Sequence, residues 1–219
     1  MVVTKGFFSP GKGREIGRMG LQPYDQLALC LVAVGHKPAA LIRPPQDPQA
    51  LWMGLERLGL AGEHTDENYV AVARSAEDAN RLRELHLRLL SDPSDREIGY
   101  ALGSALGYPE QALLSYRSGN IWDAYIDGLV GRWAEGHKIL RRSAYLMHVP
   151  ATNVRNGKIS WADGRYAEKA MQLAAWFVPE AGRHIEQMFF AEVQERYERI
   201  FGTREPQTLC DACMNAVRP

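Results

Sequence analysis

The stretch REIGYALGSALGYPEQALLSY, residues 96–116, constrains the fold of this chain more than any other. Ile98, Leu102 and Leu106 recur every four residues, the spacing of one helical face. Gly107 then falls where a helix commonly ends, in the left-handed backbone region that glycine enters without a Cβ penalty. Pro109 pushes Tyr108 into an extended conformation and opens a second helix. One helix therefore stops and another starts within a few residues. Small Gly103, Ser104 and Ala105 let a neighbouring element come close at that corner.

The other elements follow from similar patterns. The apolar run from Asp25 predicts a buried helix closed by Gly35. Residues 38–43 (PAALIR) read as a strand ended by Pro44 and Pro45, and residues 46–60 as an amphipathic helix carrying Leu51, Leu55 and Leu58. Residues 68–74 (NYVAVAR) alternate as a strand, and Ser75 with Asp78 resembles a capping box that launches a helix with Leu82, Leu85 and Leu89 on one face. Asp92 and Pro93 begin the helix that runs to Gly107. Residues 119–143 hold Trp122, Tyr125, Ile126, Leu129, Val130 and Trp133 in helical order, interrupted by glycines at 128, 131 and 136. Residues 144–149 (AYLMHV) read as a strand, and Ser160 with Asp163 as the cap of a helix to about Phe177. Pro179 restarts a last long helix, with Ile185, Met188, Phe189, Val193, Tyr197 and Ile200 on its buried face and Glu186, Glu192, Glu195 and Glu198 on its wet side.

The expected fold is α+β and helix-dominated: a small sheet from Leu41, residues 69–74 and residues 144–149 is covered by helices, with a long helix near the C-terminus. Residues 1–20, rich in glycine and without helical period, read as a flexible arm. A single domain is expected over residues 21–204, followed by a tail at 205–219 that holds a CxxC motif.

Composition excludes several classes. The 26 basic and 26 acidic side chains cancel, so the chain as a whole creates no field that concentrates nucleic acid or anionic lipid. Its longest apolar run, residues 27–35, is far short of the roughly 20 residues that cross a bilayer. The N-terminus lacks the apolar core of a secretory signal. Three cysteines, an odd number, argue against a disulfide framework and for a reducing compartment. The expectation is a soluble cytoplasmic protein without a membrane partner.

Chemistry-bearing motifs are sparse. The sequence holds no HExxH, no GxSxG and no glycine-rich phosphate loop. His148 ends the expected strand ahead of a proline-containing loop, a place from which an imidazole reaches a cleft with a pKa near neutrality. His148 and Tyr108 are therefore the candidate catalytic residues, with Arg142 as a ligand-binding anion partner. Cys210 and Cys213 have the spacing of half a zinc or iron site, which Cys30 and a histidine would have to complete. His184 lies near the start of the last helix, where the helix dipole disfavours its charged form. His64 and His86 fall in polar or solvent-facing contexts. Residues 96–117 also fit a helix-turn-helix, but the second helix begins with Glu110 and only Arg117 is basic, which is poor chemistry for DNA. The aromatic, glycine-rich middle segment suits packing on a partner protein or on a second copy in a homo-oligomer.

The pieces GHKPAALI (35–42), YVAVARS (69–75), REIG with LGYP (96–109) and HVPA (148–151) occur in this order before a long helix pair. Together they resemble a family of uncharacterised archaeal and bacterial proteins over about residues 25–193. That resemblance implies cysteines after the LGYP turn and after the later proline, with metal or thiol chemistry. Glu110, Gln111 and Ala151 stand in those places here, so the resemblance implies a fold and no mechanism. The expected function is that of a small-molecule-handling protein or enzyme, with its site where the end of the 144–149 strand meets the corner at Tyr108.

Overall fold

A computed structural model describes residues 10–108, 113, 121–146 and 161–202. The chain divides into two compact units, one of residues 1–108 with 172–182 and the other of 109–171 with 183–219. The helix-dominated α+β architecture is as expected.

The first unit contains α1 (Pro10–Arg18), α2 (Pro23–Ala33), β1 (Ala39–Ile42), α3 (Pro48–Leu58), β2 (Ala61–His64), β3 (Val70–Ala73), α4 (Ala76–Ser91) and α5 (Arg96–Ala105). The strands form an antiparallel sheet in the order β1-β3-β2. All four residues of β3 are buried, and the period of two in its sequence divides them between two cores. Val70 and Val72, with Ala40 and Ile42 of β1, face an apolar cluster built from α1, α2 and α3 that includes Ile16, Leu29, Leu51 and Leu55. Ala71 and Ala73, with Ala39, face Ala79, Leu82 and Leu102 of α4 and α5. Valine on one face and alanine on the other thus set how closely each helical layer approaches. Each fully buried leucine contributes about 1.5–3 kcal/mol of transfer free energy to this arrangement.

Three local expectations are corrected. Residues 10–18 form a helix where no helical period was expected, and Ile16 within it and Met19 just after it are buried. The third strand is β2, whereas Arg141–Leu146 form a 3-10 helix in the second unit. The short AGEH segment of β2 lacks a β-branched residue, and its glycine is imposed by packing: a Cβ on Gly62 would lie 2.6 Å from Trp52 Cζ3 and 2.7 Å from Leu55 Cδ1. Finally, α5 starts after Asp95, whose carboxylate accepts the Glu97 and Ile98 amides at 2.9 and 3.0 Å, and not at Asp92 and Pro93. The Ser75 cap of α4 is as expected, with Ser75 Oγ accepting the Asp78 amide at 3.1 Å.

The second unit contains α6 (Ile121–Ala134), the 3-10 helix, most of α7 (Trp161–Phe177) and most of α8 (Pro179–Phe201). Tyr125, Ile126, Leu129, Val130 and Trp133 are buried, so helical order prevails over the glycines of α6. The Trp133 and Tyr197 rings pack at 4.9 Å between centroids. On α8, Ile185, Phe189, Val193 and Tyr197 are buried as expected, but Met188 and Ile200 are about half exposed, at 46% and 51%. Glu186, expected on the wet side, is buried. Among the described residues no helix is long and apolar enough to cross a membrane.

Candidate functional site

Two helix ends in the first unit close in the same way. After α2, Gly35 adopts φ 74° and its amide donates to the Val32 carbonyl, while the His36 amide donates to the Leu31 carbonyl at 2.8 Å. The Lys37 amide also donates to Leu31, at 3.0 Å, so the chain is wrapped back before Pro38 releases it into β1. After α5, Gly107 adopts φ 80°, and the Gly107 and Tyr108 amides donate to the Ser104 and Gly103 carbonyls at 2.9 and 3.0 Å. These paired bonds satisfy carbonyls that a helix end leaves open. Gly107 therefore has the terminating role expected of it.

The two caps also touch. A Cβ on Gly107 would stand 2.4 Å from Pro38 Cδ, so only glycine fits both the backbone conformation and the space. The α5 corner is thereby seated on the residue next to Lys37. As a result, Lys37 Nζ lies over the Tyr108 ring, 5.3 Å from its centroid.

Lys37 is only 4% exposed. Among the described residues its ammonium makes no hydrogen bond or ion pair, and the Tyr108 ring face is its one polar contact. Burial pushes its pKa down from the ordinary 10.5 to about 8. A cation–π contact of this kind is worth about 0.5–2 kcal/mol, which offsets only part of the cost of burying the charge. The pair therefore presents an amine with a substantial neutral fraction near pH 8. Such an amine can accept a proton or attack a carbonyl carbon.

Tyr108 is thus brought to a lysine that the sequence reading did not single out. The available signal was positional: Lys37 sits between a glycine-closed helix and a proline-opened strand, which fixes its backbone on both sides. Arg142, in the second unit, has its Nη1 paired with the Glu168 carboxylate, while its Nε is buried without a hydrogen bond. His148, Cys210 and Cys213 lie outside the described residues. Cys30 is a fully buried core residue, and burial pushes its thiol up to about 12, which suits packing and not thiolate ligation. Among the described residues no group of three His, Cys, Asp or Glu side chains could hold a metal ion.

Two further polar clusters are built into the units. In the second, both oxygens of Glu186 are bonded, one by Arg141 Nε and the other by the Tyr145 hydroxyl. Glu186, Phe190, Val193 and Tyr197 follow one another at steps of four, three and four, and this spacing was the sign that Glu186 shares an apolar stripe. In the first unit, His86 is buried and not solvent-facing; its Nε2 is 2.9 Å from Asp66 Oδ2. Desolvation pushes Asp66 upward, but bonds from the Asn68 amide, His86 and the Tyr69 amide outweigh it and hold the carboxyl below its usual range. At the same end of the sheet, burial raises Asp25 to about 6 against the opposing charge and amide of Arg43. His184 is exposed. No protein-family model, curated protein or solved structure matches the chain.

Proposed function

We propose that this is a cytoplasmic small-molecule-handling protein, an enzyme or a binder, whose ligand is taken at Lys37 and Tyr108. The observation that carries this reading is the buried Lys37 amine without an anion among the described residues. A methionine would fill the same space without a desolvation cost, so packing does not account for a lysine here. Thermal melting against a panel of small carbonyl compounds, carboxylates and phosphates tests the reading. At least one compound should raise the midpoint of the native chain and leave Lys37→Met unmoved. Compounds that stabilise both proteins equally, or neither, would remove the site.

A protein-interaction role is the second reading. Trp176, 68% exposed near the end of α7, favours it, because a large exposed aromatic is typical of a contact surface. Sedimentation of the native chain and of Trp176→Ser separates a homo-oligomer held through this residue from a monomer. The neutral charge balance argues against nucleic acid as the partner. Zinc or iron held by Cys210 and Cys213 is tested by elemental analysis of protein purified without oxygen. The resemblance to the LGYP-turn family adds no chemistry, since its cysteine places hold other residues.

A further inference from the structure

We infer that Lys37 forms an imine with a small, weakly charged aldehyde or ketone, an inference that rests on the assignment of the ligand site to Lys37 and Tyr108. Three observations favour this class. Lys37 follows the carbonyl end of α2, where the helix dipole is negative and an anionic ligand is disfavoured. Ala39, two residues after Lys37, and Leu106, two before Tyr108, both belong to the apolar cluster around Leu82 and Leu102, so the neighbourhood of the pair is oily. The amine itself has neither carboxylate nor hydroxyl partner among the described residues and belongs to a side chain that is almost wholly buried. Arg74, whose Nη1 would lie 2.9 Å from a Cβ on Gly35, is the nearby cation that makes a carbonyl compound bearing a carboxylate the competing class.

The step balances without a redox partner. The neutral Nζ lone pair forms a bond to the carbonyl carbon, and the C=O π pair moves to oxygen. A proton passes from nitrogen to that oxygen and gives a carbinolamine. The nitrogen lone pair then expels the oxygen as water and leaves C=N, so amine plus carbonyl yields imine plus water. The depressed basicity of Lys37 raises the reactive fraction: near pH 7.5 it is neutral roughly two-hundredfold more often than an ordinary lysine. A protonated imine would keep a positive charge over the Tyr108 ring face.

The test is reductive trapping on the full chain. Propanal and benzaldehyde, with glyoxylate as the anionic comparator, are each added at pH 7.5 with sodium borohydride, and modified sites are mapped by mass spectrometry after chymotrypsin digestion. Lys37 is expected to carry the label at least tenfold ahead of every other lysine, more from the two neutral aldehydes than from glyoxylate, and Lys37→Arg should abolish that label while the fold persists by circular dichroism. Labelling spread over the exposed lysines and the N-terminal amine alone overturns the imine. Preference for glyoxylate overturns the weakly charged class. If ligands from the melting panel still require Lys37 but nothing is trapped, the imine fails and the site stands; if neither occurs, both fail.

Discussion

Replacing Lys37 by methionine keeps the length and the apolar stem of the side chain and removes only the amine. In the unfolded chain that amine titrates near its ordinary 10.5, and in the folded chain at about 8. At about 1.36 kcal/mol for each factor of ten, the difference corresponds to about 3 kcal/mol by which folding is opposed when the amine is protonated in both states. The sign follows from which state binds more protons. Between pH 8 and 10.5 the unfolded chain does, so the native protein gains stability as pH rises through that window and loses it as pH falls through 8. Methionine has no such dependence. Lys37→Met should therefore be more stable than the native protein by about 3 kcal/mol at pH 7, and the gain should shrink to about 1 kcal/mol at pH 10. Urea denaturation at the two pH values, followed by circular dichroism, reads both numbers, with equal slopes confirming that the unfolded states are comparable. A variant less stable than the native chain at pH 7, or a gain that ignores pH, would refute the reasoning, because Lys37 would then be a partnered structural residue.

Gly107→Ala places a Cβ against Pro38 in a left-handed conformation and should cost roughly 2–4 kcal/mol in denaturant melts, with a cost below 1 kcal/mol contradicting the close seating of the corner. The Asp25 carboxyl, raised from 3.8 to about 6, holds its proton in the folded state where the unfolded chain has released it. Stability then falls as pH rises from 4 through 6, and Asp25→Asn should be up to about 3 kcal/mol more stable at pH 7 but indistinguishable near pH 4. Glu186→Ala deprives Arg141 and the Tyr145 hydroxyl of their carboxylate and should lower stability by about 2–4 kcal/mol; an unchanged melt would show that this cluster contributes nothing. His86→Ala opens a gap under the Asp66 turn and should cost about 1–3 kcal/mol, measurable by the same melts.

Much of this fold was legible because local chemistry and tertiary packing agree. The VAVA strand, the Ser75 cap and the glycine stops at 35 and 107 each state their role within a few residues. What was not legible depends on partners far away in sequence. Gly62 looks like a strand breaker until the Trp52 ring is known to need its space. The AYLMHV segment has strand-like composition, yet Tyr145 turns inward to Glu186 and the backbone through Leu146 coils as a 3-10 helix. Glu186 carries a charge that points outward by default, and only the Arg141 and Tyr145 donors make its burial tolerable. At the candidate site, the corner position of Tyr108 is legible from the glycine and proline around it, whereas the burial of Lys37 is not, because a lysine next to a turn is ordinarily solvated. Its burial arises from the docking of α5 on Pro38, a contact between residues about seventy positions apart.

The ionisation and ligand response of the Lys37 amine itself test the central claim most directly. In protein labelled with 13C at lysine Cε, the Lys37 resonance is assigned by its absence in Lys37→Met and followed against pH, with and without a compound that stabilises only the native chain. The account predicts a midpoint near 8, well below the other lysines, and a shift of this resonance when the compound binds. A midpoint near 10.5 with no response to the compound would contradict it.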